Sequence, residues 1–385
     1  MDEYIKNQNE YTNVTEWHKA GFTGKGILVW DMEGLTDHGK LTRERILDAA
    51  PDAKVINHPW NKSVSDMREN VYDDDAKKYV TFKEFVEKYK PDVLTCSKGI
   101  SQKSTYNITR PILDVMQKQH RLVIFNSGGN DGDSGVKGGA LPQEYAMYIG
   151  AVMMFQNNPK DIRACGYSSV GDEYEEIDFS SFVGRAGHSG TSFSTPFVAG
   201  QAALLRQRYG KMSQEEVYNY FKMISVPLQT SHNAIRTDFL GGHYTYDFRT
   251  GYGIPVLPHL DKKYITMDIG SFIYEIDGER QEMDTAPFIK DSRTFVPIAF
   301  IALALGAEVK WNAILKTVTI TKGKTRVELY VNKKYYYVNG RRYEMDTAPF
   351  IQDSRTFVPI SWAALALNCR VAWVKSERKV QILEV

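Results

Sequence analysis

Over the first 260 residues, short apolar runs alternate with longer amphipathic stretches. Residues 27–30 (ILVW), 53–58 (AKVINH), 91–97 (PDVLTCS), 122–125 (LVIF) and 148–153 (YIGAVM) have the length and flanking turns of buried strands. Residues 41–50, 81–89 and 112–118 read as helices, and 213–224 (SQEEVYNYFKMI) as an amphipathic helix capped by Ser213. A further apolar run, with Phe197, Val198, Ala202, Ala203, Leu204 and Leu205, predicts a buried helix beginning near Ser192. Pro196 is tolerated there if it lies in the first turn, where a missing N–H costs little. Asp31 ends the first strand, the position where open α/β sheets gather functional groups.

The pattern changes in the final 120 or so residues. The stretch 282–298, EMDTAPFIKDSRTFVPI, recurs at 344–360 with a single difference. Each copy follows a strand pair with a turn at Asp277-Gly278 or Asn339-Gly340, dipeptides that favour tight hairpins. A short alanine- and leucine-rich helix and further strands complete each copy. The expectation is a two-unit α+β array in which each unit buries one small core. Domain bounds follow as 1–19 (an N-terminal extension), 20–262 and 263–385, the last divided at about 324.

Composition narrows the function classes. Apolar content of 42%, 25% charged residues and a formal net charge of +1 describe a globular chain. That charge offers no reason to expect nucleic acid or an anionic membrane as partner. Cys96, Cys165 and Cys369 are far apart and read as buried thiols rather than a disulfide or metal framework. The polar, acidic N-terminus does not look like a signal peptide, and no apolar run approaches the ~20 residues of a membrane helix. The expectation is a chain made in the cytoplasm, its final compartment open.

The candidate chemistry begins at Ser192. A serine at a helix start lies among free backbone N–H groups, which suits a nucleophile beside developing negative charge. The block HSGTSFSTPFVAG (188–200) resembles the serine signature of the subtilisin-like serine proteases. Residues 20–31 (AGFTGKGILVWD) and the following His38-Gly39 resemble that family's aspartate and histidine regions. RLVIFNSGGNDGD (121–133) is similar to its oxyanion motif. The resemblance spans about residues 12–260. It implies a parallel sheet flanked by helices, an Asp31–His38–Ser192 triad and Asn130 as oxyanion-hole donor. It further implies a substrate cleft lined by Ser97, Lys98, Gly99, Ser127, Gly128 and Gly129. The chain departs from the family in its short Asp31-to-His38 connection and in HGKLT around the histidine. His58 and His188 read as structural, and Asp37 as a helix N-cap. Asp131 and Asp133 near the cleft mouth point to a basic side chain in the substrate, with Lys98 pulling the other way.

No cofactor is expected. The cluster Asp73-Asp74-Asp75 could suggest calcium, but it lacks the alternating ligands and turn glycine of a calcium loop. The repeats resemble copper amine oxidase N-terminal domain-like stalk repeats. Residues 263–385 contain no histidine, so the resemblance brings no expectation of copper. Asp291, Ser292 and Arg293 read as a structural turn. The sequence therefore points to a serine endopeptidase with a narrow processing role, tethered through its repeats to a cell-wall, surface or virion partner. The alternative is a degenerate protease-fold scaffold on such a stalk.

Overall fold

The structure is a computed structural model. It describes residues 2–34, 36–58, 71–73, 76–97, 106–135, 141–172, 176–184, 188–228, 233–237 and 243–385. The chain divides into two compact units, 1–236 with 244–259, and 237–243 with 260–385.

The first unit opens with α1 (Glu3–Tyr11) and α2 (Val14–Lys19). Then follow β1 (Leu28–Asp31), α3 (Asp37–Ala49), β2 (Lys54–Asn57), β3 (Val71–Asp73), β4 (Lys78–Val80), α4 (Phe82–Tyr89), β5 (Val93–Cys96) and α5 (Tyr106–His120). Next come β6 (Val123–Ser127), β7 (Met147–Met154), β8 (Ile162–Ala164), β9 (Phe179–Phe182), α6 (Thr191–Tyr209), α7 (Gln214–Ile224) and β10 (Ser225–Val226). The strands β11 (Asn233–Thr237) and β12 (His243–Asp247) pair with each other, and β13 (Ile254–Pro255) pairs with β10.

The main sheet has the order β2-β1-β5-β6-β7-β8, with β9 also on β7, and only β8 runs antiparallel. Helices cover both faces. Trp30, Leu94, Ile124 and Tyr148 pack with Phe85 and Val86 of α4 and Leu113 and Met116 of α5. On the other face α6 packs against β1, β5, β6, β7, β9 and α3. Burial on both faces explains the unbroken apolar strands: every residue of β5 and β6 is buried. It also explains why α6 is apolar around most of its circumference, buried from Thr191 through Arg206.

The expected N-terminal extension is part of this unit. Ile5, Val14 and Trp17 are fully buried, and the Trp17 indole N–H donates to the Pro258 carbonyl at 2.9 Å. The capping boxes Thr81/Glu84 and Ser213/Glu216 start α4 and α7, satisfying N–H groups that the helix itself leaves free.

The second unit contains β14 (Tyr264–Asp268), β15 (Ile273–Ile276), β16 (Glu279–Glu282), β17 (Phe288–Lys290), β18 (Arg293–Pro297), α8 (Ile298–Ala304), β19 (Glu308–Asn312), β20 (Thr317–Lys322) and β21 (Thr325–Tyr330). Then come β22 (Tyr335–Val338), β23 (Arg341–Glu344), β24 (Phe350–Gln352), β25 (Arg355–Pro359), α9 (Ile360–Ala366), β26 (Cys369–Val374) and β27 (Lys379–Glu384). Asp277-Gly278 and Asn339-Gly340 form the hairpin turns with positive φ at both residues. Asp291-Ser292 and Asp353-Ser354 do the same between β17 and β18 and between β24 and β25.

The sequence repeats are not the structural halves. One five-stranded sheet, β19-β20-β21-β22-β23, is built from the end of the first copy and the start of the second. The other, β16-β15-β14-β27-β26, joins the first three strands of the unit to its last two. Between them β18 pairs antiparallel with its own copy, β25, with Val296 opposite Val358. Arg293 reaches Asp346 and Arg355 reaches Asp284, so each copy's arginine pairs with the other's aspartate. These exposed pairs set register more than stability. A single apolar cluster runs through both copies. The two separate cores expected from the repeat do not occur, because neither copy alone can complete a sheet.

Candidate active site

The sheet turns both ways from β1, to β2 on one side and β5 on the other. A crevice opens at such a switch point, outside the carboxyl ends of the strands. Asp31 ends β1, Ser97 follows β5 and Ser127 ends β6, so all three lie at the carboxyl edge of the sheet. The N-termini of α3 and α6 bring His38 and Ser192.

Ser192 is the second residue of α6, where the helix leaves its N–H without an internal acceptor. Gly190 precedes the helix at φ 126°, a conformation that disfavours any side chain. A Cβ there would lie 3.2 Å from Ser192 Oγ and 3.4 Å from Asn130 Nδ2, so the glycine also keeps the space between them open. The helix starts one residue earlier than the sequence suggested, which moves Pro196 beyond the first turn. Proline at this position cannot donate to the Ser192 carbonyl. The Ser97 hydroxyl does so instead, at 3.1 Å.

The His38 Nε2 atom stands 3.1 Å from Ser192 Oγ. The packing of α3 on α6 fixes this distance. Eight residues beyond His38 and Ser192, a Cβ on Gly200 would come within 2.6 Å of the Ile46 carbonyl. The two helices thus keep matching register over about 12 Å, and only glycine allows so close an approach. The His38 ring also packs on Phe193, with centroids 5.3 Å apart.

Asp31 is fully buried. Its Oδ2 accepts from the Thr42 hydroxyl at 2.7 Å and from Asn57 Nδ2 at 2.9 Å. Burial pushes its carboxyl up to about 7; the bonds from Thr42 and Asn57 and the His38 charge oppose the rise, and Glu33 adds to it. Between the ordinary carboxylate value and 7, the folded chain holds a proton that the unfolded chain has released. Stability therefore falls as pH rises through that window and stays lower above it. Asp31→Asn is expected to raise Tm above about pH 7 and to leave it unchanged near pH 3. Thermal melts of parent and variant across that range check the sign.

Asn130 is held by its carbonyl. Oδ1 accepts from the Thr191 N–H at 2.8 Å and the Thr191 hydroxyl at 3.1 Å, which leaves Nδ2 to donate elsewhere. Gly128 and Gly129 run beside it: Gly128 N–H donates to the Ile149 carbonyl, and Gly129 N–H to the Thr191 hydroxyl. Ser127 is buried at the end of β6. Lys98 and Gly99 lie outside the described residues, as do Asp74 and Asp75.

Other sequence candidates take different roles beside or beyond the Ser192–His38 contact. His58 packs on Phe85 and Tyr89, and His188 stacks on the Phe193 ring. Thr36 caps α3 rather than Asp37, which is the first helical residue and pairs with Lys40. Asp133 is bridged by Arg249, so it is not an unpaired charge for a basic substrate group. Asp73 accepts from Lys88, Tyr89 and Ala76. Among the described residues no group of three or more His, Cys, Asp or Glu is placed to hold a metal ion.

The sequence reading missed Thr42, Asn57, Thr191 and Glu33. Thr42 had a signal, since it lies one helical turn after His38 and so on the same face. Glu33, two residues past Asp31, places Oε2 3.6 Å from His38 Nδ1.

A family model described as Subtilase family matches residues 27–253, and one described as Copper amine oxidase N-terminal domain matches residues 259–382. No curated protein matches the chain. Similar solved structures include MycP1 with its N-terminal propeptide removed, at 16% identity and TM-score 0.43, covering 64% of this chain and 94% of that one. MycP1 from Mycobacterium smegmatis is 15% identical with TM-score 0.42, over 65% of this chain and 82% of that one. MycP3 protease from the type VII (ESX-3) secretion system is 14% identical with TM-score 0.40, over 65% and 86%.

Proposed function

The chain belongs to the subtilase family of serine peptidases, and from that premise we propose that it is an endopeptidase working through Asp31, His38, Ser192 and Asn130. The observation that carries the proposal is the 3.1 Å contact between His38 Nε2 and Ser192 Oγ at the N-terminal ends of α3 and α6. At that distance the imidazole can take the hydroxyl proton as Oγ attacks a peptide carbonyl. The resulting oxyanion is stabilised by the Ser192 N–H at the start of α6 and by Asn130 Nδ2, a donor whose loss typically lowers turnover ~10²–10³-fold. His38 then returns the proton to the leaving amine, and water releases the acyl group by the same steps in reverse. Asp31 favours the charged form of the imidazole through the negative charge it places beside the ring.

The substrate is a protein or peptide. The role is narrow processing, with the C-terminal unit as tether to a cell-wall, surface or virion partner. A serine-directed fluorophosphonate is expected to label Ser192 and to block hydrolysis of a mixed fluorogenic peptide library. Labelling requires an activated hydroxyl, so an unlabelled, inactive chain would overturn the proposal in favour of a scaffold.

A further inference from the structure

The connection between Asp31 and His38 carries a second carboxylate. Glu33 is 6% exposed, yet its Oε2 lies 3.6 Å from His38 Nδ1, the ring nitrogen opposite the one facing Ser192. Asp31 stands close enough to feel the charge of both Glu33 and His38. Its Oδ2 is committed to Thr42 and Asn57, while Oδ1 is buried and has no hydrogen-bond partner among the described residues. Two poorly solvated carboxylates beside each other repel, and a cation next to both relieves the repulsion. The group placed to become that cation is the imidazole. Asp37, next to His38 on the same helix, pairs with Lys40 at the surface. The element facing the ring from the far side, α6, contributes the neutral Ser192 and Phe193.

We infer that Glu33 is a positioning residue for His38: a second carboxylate that holds Nδ1 and stabilises the imidazolium formed as Ser192 gives up its proton. The inference rests on the peptidase mechanism above. Both carboxylates oppose each other while the ring is neutral and both attract it once charged, so the pair favours the charged intermediate more than the resting state. The Met32-to-Asp37 connection folds back on the start of α3, where a Cβ on Gly39 would lie 3.3 Å from Glu33 Cβ, and this keeps Glu33 beside the ring.

The test uses the full chain and its Glu33→Gln, Glu33→Asp and Ser192→Ala variants on one fluorogenic peptide. Glu33→Gln keeps the size and removes the charge. Its kcat is expected to fall at least ~10-fold at unchanged KM, short of the ~10⁴-fold loss typical when the main orienting carboxylate is neutralised. The acid limb of its kcat/KM profile moves to lower pH, because the imidazolium loses a neighbouring negative charge. Glu33→Asp retains the charge, so its acid limb stays near that of the parent with a smaller fall in kcat. A Gln variant with kcat within twofold of the parent and an unmoved acid limb would overturn the inference and leave the peptidase mechanism standing. If Gln fails to fold, an Asp variant whose acid limb shifts to lower pH also overturns it. A parent chain that neither hydrolyses the peptide nor reacts with fluorophosphonate removes the mechanism and the inference together.

Discussion

Ser192→Ala is expected to lower peptide hydrolysis about 10⁶-fold and to leave the fold unchanged. The loss is large because the hydroxyl is the attacking atom and His38 has no other proton to take in the first step. Without Oγ, the remaining N–H donors can still bind an oxyanion, but no acyl-enzyme forms. The structural cost is small. Among the described residues Ser192 Oγ bonds to His38 alone, whereas the start of α6 is held by other contacts: Gly190, Thr191 to Asn130, and Ser97 to the Ser192 carbonyl. All of these survive the substitution. Turnover of a fluorogenic peptide, with Tm by circular dichroism as the control, reads both effects. A variant that keeps a tenth of the parent's turnover would mean that another group is the nucleophile.

Removing residues 379–385 is expected to unfold the C-terminal unit entirely, including the first copy of the repeat. The last strand, β27, is central in its sheet, paired with β14 on one side and β26 on the other. Val380, Ile382 and Leu383 are essentially fully buried. At about 1.5–3 kcal/mol each, their burial amounts to roughly 5–9 kcal/mol, before the lost ladder bonds are counted. That approaches the whole stability of an ordinary domain, about 5–15 kcal/mol. Limited proteolysis of the truncated chain in the Ser192→Ala background, followed by mass mapping, gives the outcome. Independent repeats would leave residues 263–324 protected; a shared core leaves both copies open to cleavage. Persistent protection of 263–324 would sink the shared-core account.

Much of the site was legible because its parts lie in short local patterns. A strand ending in Asp31, a helix opening near His38, and G-T-S-F-S-T-P before an apolar run each reflect chemistry within a few residues. The hairpin turns were legible for the same reason, since Asp-Gly and Asn-Gly tolerate positive φ where most residues do not. The apolar runs also disclosed that the strands are covered on both faces. The cap of α7 at Ser213 was legible as well.

What the sequence by itself determined, then, is the principal strands and helices around the site, the hairpin turns and which residues carry reactive groups, though not α1, α2, β3 or β4. What only the tertiary structure decided is which of those groups meet. That Gly200 seats α6 on α3, and so fixes His38 against Ser192, depends on the approach of two helices more than 150 residues apart in the chain. That Ser97 satisfies the carbonyl left free by Pro196 depends on a strand end nearly 100 residues away. Glu33 gave no signal, because a lone glutamate in a loop is ordinarily solvated, and only the fold withdraws it from water beside an imidazole. The repeat misled for a related reason. Copies of a sequence need not be copies of a structure, since strands pair with whichever edge completes the sheet, and β27 completes the one begun by β14.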